Sequence, residues 1–341
     1  MRAACQNLVQ RISYIRDHVL GINYRNSEYI FKHNPKHLYP LVDDKLKGKD
    51  VLLAVGIPVP ETYAAIRSYF DLKALPTRLH RLNSFVIKPT NGFGGEGVLI
   101  VEESLPGGRF RLADGSHWTL KDLRRHLQEI LAGVYSLNQF PDTALCEYKI
   151  NGDDRVGALS FKGIPDIRIL VFRGIPVMAM LRLSTKRSKG KANLHQGGIG
   201  VGIDLSTGRT THAISDGHYV THHPDSGIKL SDVIIPHWEN LLRIATHSYK
   251  AVPLGYLGVD LVIDRDLGPM VLELNARPGL QLQMANRMGL KKTLAQLQKQ
   301  DNVAQMSQAE CISLGKTLYE NERQKALKVS NQPLITTCNR V

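Results

Sequence analysis

Two short runs in which apolar and polar residues alternate, 258–263 and 270–275, are separated by a polar turn over 264–269 that contains Gly268 and Pro269. They predict a β-hairpin within LGVDLVIDRDLGPMVLELNARPG, residues 257–279. If Ile263 pairs with Met270, antiparallel pairing keeps the sum of partner numbers constant and sets Asp260 opposite Glu273. Facing carboxylates repel. Among Val, Leu and Ile a cation between them relieves that cost, and Asn275, two residues from Glu273, adds a third oxygen on the same face. Asp260, Glu273 and Asn275 are thus candidate ligands of a divalent metal; the other reading is a surface hairpin with an incidental acidic pair.

The same patterning predicts the remaining elements. Leu8, Ile12, Ile15 and Val19 share one helical face over 3–20, the mark of a docking helix or, alternatively, a membrane-surface one. Residues 23–41, rich in Asn, Tyr, His and Pro, read as an extended arm. Asp43 reads as the N-cap of a helix that carries Lys45, Leu46, Val51, Leu52 and Val55 and ends at Gly56. Residues 107–117 read as a surface hairpin, and Thr119 with Asp122 opens a helix to about 134. A short apolar strand over 144–150 connects to Asp166 and Arg168, which share a strand face ahead of an apolar run to Leu183. Helices are expected at 236–249, 281–300 and 307–328, with a disordered end over 329–341.

Candidate chemistry gathers in two further stretches. In SFVIKPTNGFGGEGVLIVE, residues 84–102, a strand ending at Lys88 enters a turn containing Gly92, Gly94, Gly95 and Gly97, and a second strand leaves it. The letters match GxGxxG, yet a dinucleotide fingerprint needs a helix after the glycines. A strand follows instead, so the turn is a hairpin loop whose bare N–H groups can close over phosphates, with Lys88 as a point charge for them. Lys45 sits in a helix's first turn, where a cation is disfavoured by the dipole; it is either solvated or answers an anion. Residues 182–202 hold Arg182, Lys186, Arg187, Lys189 and Lys191, the densest basic cluster, with Asn193, His195, Gly197 and Gly198 after it. The outer charges fit a solvated face equally well, whereas Lys191, Asn193 and His195 have a more specific role. His222, His223 and Asp225 lack the helical spacing of a metal site.

Length and charge narrow the classes. The 341 residues suffice for two domains or one large α/β unit, and a net charge of +13 fits an anionic ligand such as a nucleotide, an acidic metabolite or peptide, or a nucleic acid. Cys5, Cys146, Cys311 and Cys338 show no CxxC spacing, which fits a reducing cytoplasm. No apolar run is long enough for a membrane span, and early charges such as Arg2, Arg11, Arg16 and Asp17 do not suit a signal peptide.

Taken in order, an early helix lysine, a strand lysine before a glycine hairpin, a connecting strand, a basic loop and an Asp/Glu/Asn hairpin resemble the ATP-grasp superfamily, in its alpha-L-glutamate ligase-related, sugar-transfer-associated branch. The resemblance runs over about 23–290, through NYRNSEYIFKHNPKHLYPLVDDK, FVIKPTNGFGGEGVLIV, THHPDSG and LELNARPG. It implies an α+β fold of α/β character in which a small lid subdomain and a larger antiparallel core hold the nucleotide, with added terminal helices. The expected parts are 1–36, helix and arm; 37–289, the grasp, with a lid over about 75–148; and 290–341, a helical tail. By the resemblance, Lys45 and Lys88 contact ATP phosphates under Gly94, Gly95 and Gly97, while Glu147, Tyr148 and Ile150 line the adenine. Asp166 takes the ribose, Arg168 faces substrate, Lys191 and Asn193 approach γ-phosphate and metal, and Asp260, Glu273 and Asn275 bind two Mg²⁺, or Mn²⁺ in their place.

The implied reaction joins a carboxylic acid, such as glutamate, to an amine or peptide acceptor through an acyl phosphate, with Arg168 or Arg277 clamping the acid. The rivals are a kinase on the same fold and a basic nucleic-acid-binding protein; few aromatics near the basic loop argue against the second. Two departures stand out. The α/β domain that precedes the grasp in many relatives has no counterpart before Lys45, so substrate identity does not carry over, and the stretch between Ile150 and Asp166 is long for a glutamate ligase. Neither the general base nor the oligomeric state can be read from the sequence.

Overall fold

A computed structural model describes residues 2–73, 79, 81–136 and 139–330, and of 2–6 and 8 only the helical backbone. Two antiparallel sheets organise the chain. The smaller has the order β1-β6-β2-β3-β4-β5, built from β1 (Thr62–Ile66), β2 (Phe85–Pro89), β3 (Leu99–Leu105), β4 (Arg109–Leu112), β5 (His117–Thr119) and β6 (Ala144–Glu147). Its core closes against helix Leu120–Leu131, which starts with the expected capping box: the Thr119 hydroxyl accepts from the Asp122 N–H and the Asp122 carboxylate accepts from the Thr119 N–H. Pairing of β1 with β6 brings this sheet's start to Thr62, upstream of the expected 75.

The larger sheet has the order β11-β10-β9-β8-β7-β12-β13. Its strands are β7 (Asp166–Phe172), β8 (Ile175–Leu183), β9 (Ile199–Ile203), β10 (Thr210–Ser215), β11 (His218–Val220), β12 (Tyr256–Asp264) and β13 (Gly268–Asn275). β7, β9 and β12 are buried throughout, which explains their near-continuous apolar runs. Helices Trp238–Ala251 and Gln308–Ser330 pack against β8. No helix among the described residues is long and apolar enough to cross a membrane.

The β12–β13 hairpin forms with a correction to its register. Ile263 pairs with Pro269 and Val262 with Met270, one step off the expected pairing; a bulge then takes up Leu272, so that Asp260 still faces Glu273. Three other expectations also change. Residues 23–41 are not an extended arm but short helical turns, Ile22–Arg25, Asn26–Ile30, Phe31–His33, Lys36–Leu38 and Pro40–Asp43. Buried Tyr29 and Ile30 hold them, as does Asn34, whose amide donates to the Tyr256 and Ala276 carbonyls at 2.8 Å each. The cap of helix Lys45–Ala54 is Asp44 rather than Asp43. The helix expected over 281–300 is broken into Gln281–Asn286 and Lys291–Gln298 by left-handed Arg287 and by Gly289, where a side chain would meet the His18 carbonyl.

Helix Arg2–His18 docks, but by its other face. Tyr14 donates to Glu322 at 2.9 Å and the His18 ring meets the same carboxylate, while Ile12 and Ile15 are each more than half exposed. Glu322 is almost fully buried, and its need for polar partners decides which side turns inward. The Leu8 side chain and the end over 331–341 lie outside the described residues.

Candidate active site

Sheet register assembles the first half of the site. Arg168 of β7 pairs directly with Asp260 of β12, and Asp260 with Glu273 of β13, so the three lie in one row across the sheet; Asp166 faces Arg182 of β8. The Arg168 guanidinium donates to both Asp260 oxygens at 2.7 and 2.5 Å, and Arg182 adds a bond to Asp260 at 2.6 Å while also bonding Asp166. Burial alone would raise the Asp260 carboxyl, but Arg168 and Arg182 hold it well below the usual carboxylate range. Burial, with Asp260's charge, pushes Asp166 up despite Arg182.

The small sheet supplies the second half. Glu147 ends β6 fully buried and bonds two ammonium groups, Lys88 at 2.5 Å and Lys49 at 2.7 Å. Burial works against its ionised form, yet the two lysine charges keep the Glu147 carboxyl low. Lys45, four residues from Lys49 and on the same helix face, points into the same space. Its ammonium reaches the Gly92 carbonyl at 2.8 Å and the Thr90 carbonyl at 3.5 Å, with no carboxylate at ion-pair distance among the described residues. Burial lowers its pKa. A desolvated cation that meets only carbonyls is suited to receive an anion.

Between these halves hangs the glycine hairpin. Gly94, Gly95 and Gly97 all adopt left-handed backbone, with φ of 63°, 75° and 70°, which side-chain-bearing residues rarely adopt. Asp142 anchors its base, accepting from the Thr90 hydroxyl (2.6 Å), the Asn91 N–H (3.0 Å) and amide (2.8 Å), the Ser136 hydroxyl (2.5 Å) and the Thr143 N–H (2.7 Å). Across the cleft, Lys191 meets Glu96 of the hairpin at 3.0 Å, a bridge between lid and core.

Asp142→Ala is expected to strand several of these donors, lower stability by about 1–3 kcal/mol and loosen the hairpin. Urea melts and limited proteolysis would measure both. Hydrogen bonding outweighs burial and lowers the Asp142 carboxyl. Its contribution is therefore present above the unfolded carboxylate's pKa and lost as pH falls through the folded value, so the variant's acid limb flattens.

The remaining expected residues are distributed around this cleft. Ile150 is buried, and the Tyr148 hydroxyl donates to Asp264 at 3.1 Å. The Asn193 amide oxygen accepts the His195 N–H, and that of Asn275 the Arg277 N–H. The two expected acid clamps are engaged elsewhere: Arg168 by Asp260, and Arg277 by Asp43 at 2.9 Å while stacked on Tyr39. Glu273 and Asn275 fit a hard cation as oxygen donors, whereas both Asp260 oxygens are held by guanidinium groups, so the three-oxygen set is not assembled. Sequence reasoning missed Lys49, Asp142 and the buried role of Arg182. For Lys49 the signal was its i+4 spacing from Lys45.

Comparison with known proteins adds the following. A sequence profile described as sugar-transfer associated ATP-grasp matches residues 24–299. Among curated proteins none matches. Solved structures similar to this chain include the ATP-grasp ligase PsnB complexed with a minimal precursor, at 15% identity and TM-score 0.43 over 78% of this chain and 62% of that one. They also include the D-alanine-D-alanine ligase from Coxiella burnetii, at 16% identity and TM-score 0.45 over 85% and 61%. The D-alanine–D-alanine ligase from Bacillus anthracis complexed with ATP is similar at 17% identity and TM-score 0.40 over 84% and 68%. The chain thus spans less than two thirds of the first two proteins' lengths.

Proposed function

Because the chain belongs to the sugar-transfer associated ATP-grasp family and has the ATP-grasp fold, we propose that it is an ATP-dependent carboxylate–amine ligase. The observation that carries the reading is the convergence of Lys45 and Lys191 on one glycine hairpin, with Lys88, held by Glu147 at the hairpin's entry strand, and Glu273 close enough to act on the Lys45 ammonium. Positive charge from both sides of a closable loop suits a triphosphate, and the sequence order of these groups is that of the family resemblance.

In this reading a carboxylate oxygen attacks the γ-phosphorus of ATP and ADP leaves; an amine nitrogen then attacks the acyl carbon and phosphate leaves. Lys45, Lys88 and Lys191 offset the phosphates' charge, and the hairpin closes to exclude water that would otherwise hydrolyse the acyl phosphate. Glu147 holds Lys88 and Lys49 in place, and the β6 backbone beyond it borders the adenine. Glu273 and Asn275 would hold Mg²⁺, whose chemistry is to neutralise charge on the transferring phosphoryl group. We keep Asp166 for the ribose and Arg168 for the acid, and either role requires a rearrangement of the arginine network, since Arg182 bonds Asp166 and Asp260 holds Arg168. The division into 1–36, 37–289 and 290–341 is part of this proposal.

The test is ADP and phosphate release from Mg²⁺-ATP in the presence of pooled carboxylic acids, amines and peptides. Release that requires two co-substrates supports a ligase; phosphate retained in a product made from one acceptor would replace it with the kinase. Lys88→Ala is expected to weaken ATP binding about tenfold to a hundredfold, read by nucleotide titration. Unchanged affinity would detach the hairpin from phosphate binding.

A further inference from the structure

Three carboxylates turn toward one guanidinium. Asp166, Asp260 and Glu273 belong to β7, β12 and β13; Arg182 pairs with Asp166, Arg168 with Asp260 and Asp260 with Glu273, so all five side chains share one face of the large sheet. Arg182 reaches across that face: its Nε donates to Asp166, and its Nη2 donates to the Asp260 Oδ2 at 2.6 Å. Burial disfavours the charged form of Arg182, yet Asp166, Asp260 and Glu273 together keep its pKa above the ordinary value. A fixed positive charge therefore stands among the acids that would gather cations in this cleft.

Asp260 offers little to a metal. Arg168 donates to both of its oxygens, at 2.7 and 2.5 Å, so that with Arg182 the Oδ2 accepts two guanidinium bonds, and the residue has no exposed surface. One negative charge there faces two positive ones, and a divalent ion brought to Asp260 meets an excess of like charge. Neither arginine yields by losing a proton, as a lysine could. Glu273 and Asn275 differ. Both are half-buried, and among the described residues Glu273 has no cation at ion-pair distance, although it acts on the Lys45 ammonium. The expected ligand set is thus split between an occupied position and an available one.

Resting on the ligase reading, we infer that the site takes one divalent ion rather than two, at Glu273 and Asn275, and that Arg182 holds the place a second ion would take at Asp260. Arg182 is then a positioning residue: its guanidinium keeps Asp260 neutralised and unavailable, and it supplies there, before any nucleotide arrives, the charge that a second ion would bring. Its two bonds come from different nitrogens, so Nε can release Asp166 to a ribose while Nη2 stays on Asp260. Arg168 can likewise turn to an acid and leave Asp260 still paired.

The test is a count of bound Mn²⁺ by electron paramagnetic resonance, on the full chain with one equivalent of a non-hydrolysable ATP analogue. Wild type is expected to bind one ion per chain, without the dipolar coupling of a metal pair about 3.5–4 Å apart. Glu273→Gln should bind that ion about tenfold more weakly or worse. Arg182→Gln vacates the contested place and should admit a second, coupled ion as Mn²⁺ is raised. Two coupled ions in wild type overturn the inference and leave the ligase reading standing, and this count decides even if a variant does not fold. A folded Arg182→Gln chain that stays at one ion takes the place away from Arg182, and an ion indifferent to Glu273→Gln lies elsewhere; either result also overturns the inference. A wild-type chain that binds neither the analogue nor Mn²⁺ removes the ligase reading and the inference together.

Discussion

Asp260→Ala is expected to destabilise the folded chain by about 3–5 kcal/mol, because it removes one carboxylate from a buried network and leaves its guanidinium partners uncompensated. Asp260 has no exposed surface, and Arg168 and Arg182 both donate to it. Neither arginine has a ready route to water: Arg168 stands in the middle of β7, and Arg182 is still bonded to Asp166. Asp260→Asn keeps the shape and one acceptor and should lose less. The pH dependence has a definite sign. A carboxyl held below its ordinary value contributes stability that is fully present above the unfolded carboxylate's pKa and is lost as pH falls through the folded one. The Ala variant should therefore be less stable at neutral pH and lose less on acidification. Urea midpoints across pH measure both, and a wild-type midpoint would mean that the arginines find other partners.

That network marks the boundary of what could be read from the residues. The pairing of Asp260 with Glu273 was legible, since strand alternation and a short turn leave few registers; the bulge at Leu272 was not, because the choice of bulged residue depends on tertiary packing, here of Leu272 with the cluster of Ile150, Val262 and Met270. The glycine hairpin was legible from its four glycines and the strand that follows them. Arg182 was hidden within a basic run whose later members are exposed, and only its place on β8 opposite Asp166 separates it from them. Periodicity likewise showed that Ile12, Ile15 and Val19 share a face, but not which way that face turns, since the deciding partner, Glu322, lies 308 residues from Tyr14. His223 and Asp225 posed the same difficulty. Their partners are backbone groups near Ser184 and Lys186, and a sequence shows no backbone partners.

Glu273→Ala is expected to give the opposite result from Asp260→Ala: stability little changed, and Mg²⁺-dependent turnover reduced about a thousandfold or more. Glu273 sits opposite Asp260 on β13, where facing carboxylates repel, but Arg182 feels both charges and offsets that repulsion, so removing Glu273 changes stability little. It is only half-buried, it faces the cleft shared with Lys45, and its charge acts on that ammonium. The two residues thus divide the expected metal pair. Asp260 is committed to the sheet's arginines, and under the proposed function Glu273 is the carboxylate left to hold a cation. The variant should also lose the Mg²⁺ dependence of nucleotide affinity, a readout that needs no turnover. A variant that folds, keeps that dependence and turns over at the wild-type rate would move the metal away from this hairpin. One that unfolds would make Glu273 a structural partner of Asp260 instead.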